Sequence, residues 1–125
     1  MASTRILLID DDEHILTALE QVFQKAGFEV TTAKNGTIGV EKATGEKPDF
    51  ILTDMVMFPI DGIEVIRQIR LSGSWGAKVP CAIYSSETEE LHKKAMADLD
   101  ISAFYSKRKY DPDQLVSLIQ HSHKS

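Results

Sequence analysis

The chain has 125 residues, which is the size of one ordinary domain and enough to bury well over half of the surface of the unfolded chain. Hydrophobic residues make up 42% and charged residues 26%, a balance that excludes the disordered and fibrous classes. The net charge is −5, and basic residues cluster only at residues 107–109, so direct binding to nucleic acid is not expected. Apolar runs such as residues 6–9 are too short to cross a bilayer. We therefore expect a cytoplasmic protein without membrane contact.

Short apolar runs, each flanked by turn-forming residues, recur along the chain and predict buried strands. Five such strands are predicted: Arg5–Ile9, Glu29–Ala33, Phe50–Thr53, Cys81–Tyr84 and Ala103–Ser106. Between them lie longer stretches whose apolar residues recur every three or four positions, which is the spacing of one helix face.

Five helices are predicted from these stretches. The first has an apolar stripe between Ile15 and Ala26 and ends at Gly27, a residue typical of helix C-caps. The last begins after Asp111, a good N-cap, with Pro112 at the first helical position. The other three are predicted around residues 37–44, 63–71 and 88–99.

The alternation of strands and helices indicates a parallel sheet with helices on both faces, because connections between parallel strands are right-handed crossovers. The expected fold is a doubly wound α/β domain with five strands and five helices. No repeat, linker or shift in composition marks a second domain. We therefore expect residues 1–125 to form one domain with no output domain attached.

Chemically active side chains follow the predicted strands, at the sheet edge where open α/β folds bind ligands. Asp10, Asp11 and Asp12 follow the first strand, and Asp54 follows the third. Ser85 and Ser86 follow the fourth strand, and Lys107 follows the fifth. If the strands are parallel, all of these groups lie in one crevice.

Carboxylates that lie close together repel one another unless a cation lies between them. The strand ends offer oxygen ligands but no histidine or cysteine, which favours Mg²⁺ over Zn²⁺. With Mg²⁺ present, a carboxylate can attack phosphorus while the metal and Lys107 neutralise the transferred group. Ser85 can donate a hydrogen bond to another phosphoryl oxygen.

An ordered set of motifs resembles the receiver domains of bacterial response regulators, including the single-domain chemotaxis type. The landmarks are Asp10-Asp11 after an apolar strand, Asp54 in the run Asp-Phe-Ile-Leu-Thr-Asp-Met-Val-Met, Asp61-Gly62, Ser85 and Lys107. The resemblance covers nearly all of the chain. It implies a flavodoxin-like sheet with strand order 2-1-3-4-5.

The resemblance also implies a role for each landmark. Asp54 would accept a phosphoryl group from a phosphohistidine of a sensor histidine kinase or a phosphotransfer protein. Asp11, Asp54 and the backbone carbonyl of Val56 would ligate Mg²⁺, and Asp10 would hold the ion through water. The phosphoryl group would be contacted by Lys107, Ser85 and the backbone N–H of Ser86.

A conformational switch is implied in the same way. Ser85 would move toward the phosphoryl group while Phe104 moves inward, which would remodel the face made by the fourth helix, fifth strand and fifth helix. A downstream protein would bind that face. The positions that tune the phosphoryl lifetime would be Val56 and Glu87. The chain would not be an enzyme beyond accepting the phosphoryl group and slowly hydrolysing it.

Two positions depart from the family pattern. Phe58 stands where the family usually has proline, with Pro59 one residue later, so the loop after Asp54 is expected to be reshaped. Arg108 stands where the family usually has proline in a cis peptide after the lysine. A cis bond to arginine would cost about 2.5–4 kcal/mol. A trans bond or a shifted loop is therefore expected, with Lys109 as the alternative to Lys107.

Two other functions remain open. One is a pseudo-receiver that binds proteins but is never phosphorylated, which the irregular positions 58 and 108 suggest. The other is a haloacid-dehalogenase-like phosphatase, in which Asp10 and Asp12 would form an Asp-x-Asp motif. Retention of Asp10, Asp11, Asp54, Ser85 and Lys107 together argues against the first. The second resembles this chain at one motif only and would need a later acidic pair where this chain has Lys107. We assign no chemistry to the four histidines.

Overall fold

The computed structural model describes residues 3–123, and the side chains of residues 3–121. Within this range five parallel strands form one sheet in the order β2-β1-β3-β4-β5, as predicted. The strands are β1 (Arg5–Ile9), β2 (Glu29–Ala33), β3 (Phe50–Thr53), β4 (Cys81–Ser85) and β5 (Ala103–Ser106). Four have the predicted bounds, and β4 continues one residue further, through Ser85.

The described residues form six α-helices, and all five predicted helical regions are helical. The helices are α1 (Glu13–Lys25), α2 (Gly36–Glu46), α3 (Gly62–Arg70), α4 (Ser74–Lys78), α5 (Lys93–Asp98) and α6 (Pro112–His123). The predicted helix over 88–99 is divided into a 3-10 turn, Glu89–His92, and the short α5. The sixth helix, α4, was not predicted.

Local capping explains where the first and last helices begin and where α1 ends. Asp12 Oδ1 accepts hydrogen bonds from the amides of His14 and Ile15 at the start of α1, and Gly27 has a φ of +98° just after its end. At the start of α6, Asp111 Oδ1 accepts from the amide of Gln114 at 2.9 Å. The predicted caps Gly27 and Asp111 are therefore confirmed, and Asp12 is a further cap that was not predicted.

The sheet separates two apolar cores because alternate residues of each strand point to opposite faces. Ile6 and Leu8 pack toward α1 and α6, whereas Leu7 and Ile9 pack toward α2 and α3. In β5, Phe104 packs with the second of these cores. None of the helices within residues 3–123 is long and apolar enough to span a membrane.

Register sets the position of the polar strand ends. Ile9 pairs with Thr53, and Thr53 pairs with Ile83, so Asp10 and Asp54 follow neighbouring strands at the same level. Ser85 at the end of β4 pairs with Ser106 at the end of β5. The carboxyl edge of the sheet is where these residues meet.

Candidate phosphoryl-acceptor and metal site

Asp10 and Asp54 are held in place by backbone hydrogen bonds that extend the sheet ladder. The amide of Asp10 donates to the carbonyl of Ala33 at 3.1 Å, and the amide of Asp54 donates to the carbonyl of Ile9 at 2.8 Å. Both residues are buried, with exposed fractions of 1% for Asp10 and 8% for Asp54. The strand ends therefore place two largely buried carboxylates side by side.

Three acidic side chains meet here. One carboxylate oxygen from each of Asp10, Asp11 and Asp54 lies within 4.8 Å of the other two. Asp11 is exposed and so opens the cluster to solvent. Asp12 caps α1 instead. The structure thus separates Asp12 from the three acids that sequence reasoning assigned to the metal.

Lys107 reaches the same cluster from β5. Its Nζ lies 2.9 Å from Asp10 Oδ2 and 3.2 Å from Asp54 Oδ2. Its amide donates to the carbonyl of Ser85 at 2.8 Å, which fixes the chain beside β4. Lys109 Nζ lies 5.3 Å above the ring of Tyr110. Lys107, rather than the alternative Lys109, is therefore the lysine at the carboxylates.

The two irregular loops also have definite geometries. The Lys107–Arg108 peptide is trans, and the cis peptide found within residues 3–123 is Phe58–Pro59. Phe58 itself is 84% exposed, so its ring lies in solvent. The trans alternative expected at Arg108 is the one observed, and it leaves Lys107 in reach of the acids.

Burial and the contact between Asp10 and Lys107 have opposite effects on the pKa of each of these two groups. Burial, together with the neighbouring charge of Asp54, raises the pKa of Asp10 despite the hydrogen bond from Lys107. Burial opposes protonation of Lys107, but its contacts with Asp10 and Asp54 outweigh this and raise the pKa of the lysine. The lysine stays charged, yet one ammonium cannot neutralise three carboxylates.

The loop after β3 supports the carboxylate of Asp54. The amide of Met55 donates to Asp54 Oδ1 at 2.7 Å, and the amide of Gly62 donates to the carbonyl of Met55 at 2.8 Å. A Cβ on Gly62 would overlap the carbonyl oxygen of Asp54. Asp61 caps α3 by accepting from the amide of Glu64 at 2.8 Å. The Asp61-Gly62 pair therefore brings the start of α3 against Asp54.

The remaining predicted site residues lie around this centre. Ser85 is buried at the end of β4, and its Oγ accepts a hydrogen bond from the amide of Glu87 at 3.1 Å. Ser86 is exposed on the loop that follows. Val56 is exposed on the loop after Asp54. The roles of these residues stay predictions.

Two side chains near the site were missed by sequence reasoning. His92 stacks on Phe104, with ring centroids 6.1 Å apart, and its Nε2 lies 2.8 Å from Glu87 Oε1. Tyr84 donates from its hydroxyl to the carbonyl of Tyr110 at 2.6 Å, which ties β4 to the loop before α6. The His92–Phe104 and Tyr84–Tyr110 contacts join separate elements that the folded sheet brings together, so no local sequence signal reveals them.

Comparisons with known proteins agree with this geometry. A family model described as the response regulator receiver domain matches residues 6–120. The alkaline phosphatase synthesis transcriptional regulatory protein PhoP of Bacillus subtilis is 33% identical over 82% of this chain and 42% of its own length. Protein PilH of Pseudomonas aeruginosa is 35% identical over 71% of this chain and 73% of its own length. The chain thus spans about two fifths of PhoP and most of PilH.

Solved structures show the same fold. The chemotaxis response regulator CheY4 of Vibrio cholerae superimposes with a TM-score of 0.87 at 25% identity, covering 96% of this chain and 98% of its own. A CheY-like receiver domain protein from Methanospirillum hungatei superimposes with a TM-score of 0.85, covering 97% and 94%. With the family model matching most of the chain, the protein belongs to the response regulator receiver domain family.

Proposed function

We propose that this chain is a phosphorylation-dependent switch of a two-component system, in which Asp54 accepts a phosphoryl group from a phosphohistidine. The observation that carries the proposal is the convergence of Asp54, two further carboxylates and the ammonium of Lys107 at one strand edge. We propose further that residues 1–125 form one receiver domain that acts in the cytoplasm, where kinases that use ATP supply phosphohistidine.

Asp54 suits the role of nucleophile. Its Oδ1 is held by the amide of Met55, and its Oδ2 faces Lys107. A carboxylate oxygen attacks phosphorus while the bond between phosphorus and the donor nitrogen breaks, and the electron pair of that bond stays with the imidazole. The product is an acyl phosphate on Asp54, which water later hydrolyses. The chain thus turns over its own phosphoryl group and is not an enzyme for other substrates.

The acidic cluster fits a divalent cation. Receiver domains bind Mg²⁺ at an acidic pocket, and three carboxylates beside one lysine leave an excess of negative charge. Asp11, Asp54 and the carbonyl of Val56 would ligate Mg²⁺ directly. Asp10 already accepts from Lys107 and from the amide of Asp12, so it would hold the ion through water. When bound, the ion would neutralise charge on the phosphoryl oxygens.

The chain's own donors would complete the phosphoryl site. Lys107 carries a positive charge beside Asp54, and Ser85 carries a buried hydroxyl on the next strand. The backbone N–H of Ser86 would donate a hydrogen bond to a phosphoryl oxygen. Val56 and Glu87 would set the phosphoryl lifetime, because the lifetime depends on how easily water approaches the acyl phosphate.

The signal would pass from Ser85 to Phe104 and then to the face formed by α5, β5 and α6. This is the surface predicted as the face of the fourth helix, fifth strand and fifth helix, and the helix numbers differ because the short α4 was not predicted. Receiver domains interact with histidine kinases or phosphotransfer proteins and with downstream targets. Use of this face by the target is part of the proposal.

Intact mass spectrometry with acetyl phosphate tests the proposal. Wild type should gain about one phosphoryl mass, ~80 Da, in the presence of Mg²⁺. Asp54→Asn should gain none, and the matched control Asp98→Asn, at an exposed aspartate of α5, should gain as much as wild type. No gain in wild type would favour a pseudo-receiver. Steady hydrolysis of p-nitrophenyl phosphate would instead favour a phosphatase.

A further inference from the structure

His92 occupies an unusual position in an otherwise exposed part of the chain. It ends the 3-10 turn Glu89–His92, where the loop after β4 enters α5. Its side chain is only 18% exposed, whereas its neighbours Leu91 and Lys93 are exposed. The imidazole is therefore covered by residues outside its own turn.

Two contacts account for this cover. On one side the imidazole Nε2 lies 2.8 Å from the carboxylate of Glu87. On the other side the imidazole stacks on Phe104, with the ring planes inclined by 15° and the centroids 6.1 Å apart. This separation lies within the range of offset-stacked aromatic pairs. His92 thus joins the loop after β4 to the aromatic ring of β5.

The contacts continue to the hydroxyl of Ser85. Glu87 donates its amide to Ser85 Oγ at 3.1 Å, so the same residue that holds His92 is itself held by Ser85. Phe104 lies on the strand next to β4, opposite Ile83. A continuous series of contacts therefore leads from Ser85 through Glu87 and His92 to Phe104.

We propose that His92 is a positioning residue that holds Phe104 in the arrangement of the unphosphorylated chain and releases it when Ser85 moves. This inference rests on the proposed function. A hydroxyl that turns toward a phosphoryl oxygen withdraws the acceptor of the Glu87 amide, which frees the Glu87 loop. The carboxylate then no longer holds the imidazole over the ring, and Phe104 can move.

The contact stabilises one of two conformations, so its removal shifts the population toward the other. We take the phosphoryl group to be accepted by the conformation in which Phe104 is released, so the uptake rate scales with the population of that conformation. Loss of the His92 contacts should therefore raise the rate of phosphoryl uptake from a small donor. The expected increase in the rate is about 2- to 10-fold, which corresponds to the stabilising free energy of one aromatic pair.

Two substitutions separate the two contacts. His92→Gln keeps a polar partner for Glu87 but removes the ring that covers Phe104. His92→Phe keeps a stacking ring but removes the contact with Glu87. Lys94→Gln, at a nearby exposed position of α5, is the matched control. Urea unfolding of each variant checks that the fold is retained.

The decisive measurement is the ¹⁹F NMR signal of Phe104 in unphosphorylated protein labelled with fluorophenylalanine, assigned by its loss in Phe104→Leu. In His92→Gln the signal should move toward its position in the phosphorylated protein, and uptake should become faster. His92→Phe, which loses the contact with Glu87, should move the signal in the same direction, whereas Lys94→Gln should leave both quantities unchanged. Glu87→Ala should act in the same direction as His92→Gln, and the double variant should show less than the sum of both effects.

An unmoved Phe104 signal in His92→Gln would overturn the inference, whatever the uptake rate. Additive effects of Glu87→Ala and His92→Gln would overturn the connection through Glu87. Because the signal is read without phosphate, it decides the role of His92 independently. Failure of wild type to accept a phosphoryl group would instead contradict the proposed function.

Discussion

The three central strands and the segment over residues 87–106 differ in depth of burial. All residues of β3 and β4 are buried, as are four of the five in β1. By contrast, none of residues 89–98, which the structure describes in full, is buried, and all four residues of β5 are only half-buried. Asp10 and Asp54 directly follow strands of the first region, whereas the proposed switch lies in the second.

This difference separates two physical tasks. Asp10 and Asp54 extend buried strands, and buried strands open only near global unfolding, so the acids keep their geometry. Segments with few buried apolar contacts open at much lower free energy. A switch needs two conformations of similar free energy, and residues 87–106 are where this fold can supply them.

The largest expected difference between the two regions appears when one leucine in each is replaced by alanine. Leu52→Ala in β3 should lower the free energy of unfolding by about 2–5 kcal/mol, because Leu52 is almost fully buried. Leu91→Ala should change it by less than about 0.5 kcal/mol, since Leu91 is 72% exposed. Urea denaturation followed by circular dichroism measures both. Equal losses would show that the two regions are equally well packed.

Arg70 joins the segment over residues 87–106 to the residues just before β4, and its loss should be nearly as costly. Its Nε donates to the carbonyl of Leu99 at 2.7 Å, and its Nη1 donates to the carbonyls of Val79 and Gly76. Arg70→Met should lower the free energy of unfolding by about 2–3 kcal/mol, because buried carbonyls lose a charged donor. Arg70→Lys should recover little, since lysine has a single nitrogen. Denaturation of wild type and both variants provides the test, and full recovery by lysine would contradict it.

A methyl group at Gly62 should disturb the packed region beside the acceptor. Gly62→Ala places a carbon against the carbonyl of Asp54, so the start of α3 must shift. We expect a loss of about 1–2 kcal/mol in the free energy of unfolding and slower phosphoryl uptake. Gly45→Ala is the matched control because no atom lies within 4 Å of its added carbon. That control should be neutral or slightly stabilising. Equal uptake rates for the two variants would argue against the expected shift.

Cys81 provides the test with the smallest expected effect, because ionisation of its thiol does not affect stability at neutral pH. Burial raises the pKa of its thiol to about 11, although nearby Arg70 opposes this. In native protein at pH 8 the thiolate fraction should be about 100-fold below that of a free thiol, so iodoacetamide should label Cys81 only after β4 opens. Rapid labelling of native protein would place β4 with the exposed segment.

The same shift has a defined sign for stability. The folded pKa lies above the ordinary value of about 9, so ionisation opposes folding. The contribution is absent below pH 9 and lowers stability as the pH rises from 9 toward 11. Cys81→Ala should show a smaller loss over this range in urea denaturation at a series of pH values. Identical pH profiles for the two proteins would contradict it.

The strands and the acidic cluster could be predicted because their signals are local or follow from one rule. Runs such as residues 50–53 are apolar and bounded by polar residues, and the parallel sheet then brings the residues after each run to one edge. The convergence of Asp10, Asp11, Asp54 and Lys107 followed from this rule and from the family resemblance.

The remaining features depend on tertiary contacts. The short α4 contains Gly76, which disfavours helix, yet a side chain there would overlap the carbonyl of Ile69, so packing requires the glycine. The stacking of His92 on Phe104 joins residues twelve positions apart through the α5–β5 connection. Only the assembled sheet reveals such contacts.

Arg108 is held by its backbone. Its amide donates to Ser106 Oγ at 3.1 Å, and the amides of Lys109 and Tyr110 donate to the carbonyl of Ser106. Proline, the residue that the family usually has at this position, carries no amide hydrogen. A consensus-guided redesign that introduced Arg108→Pro would remove a donor that this turn uses. The family average is therefore a poor template for engineering this loop, whose geometry is specific to its own set of hydrogen bonds.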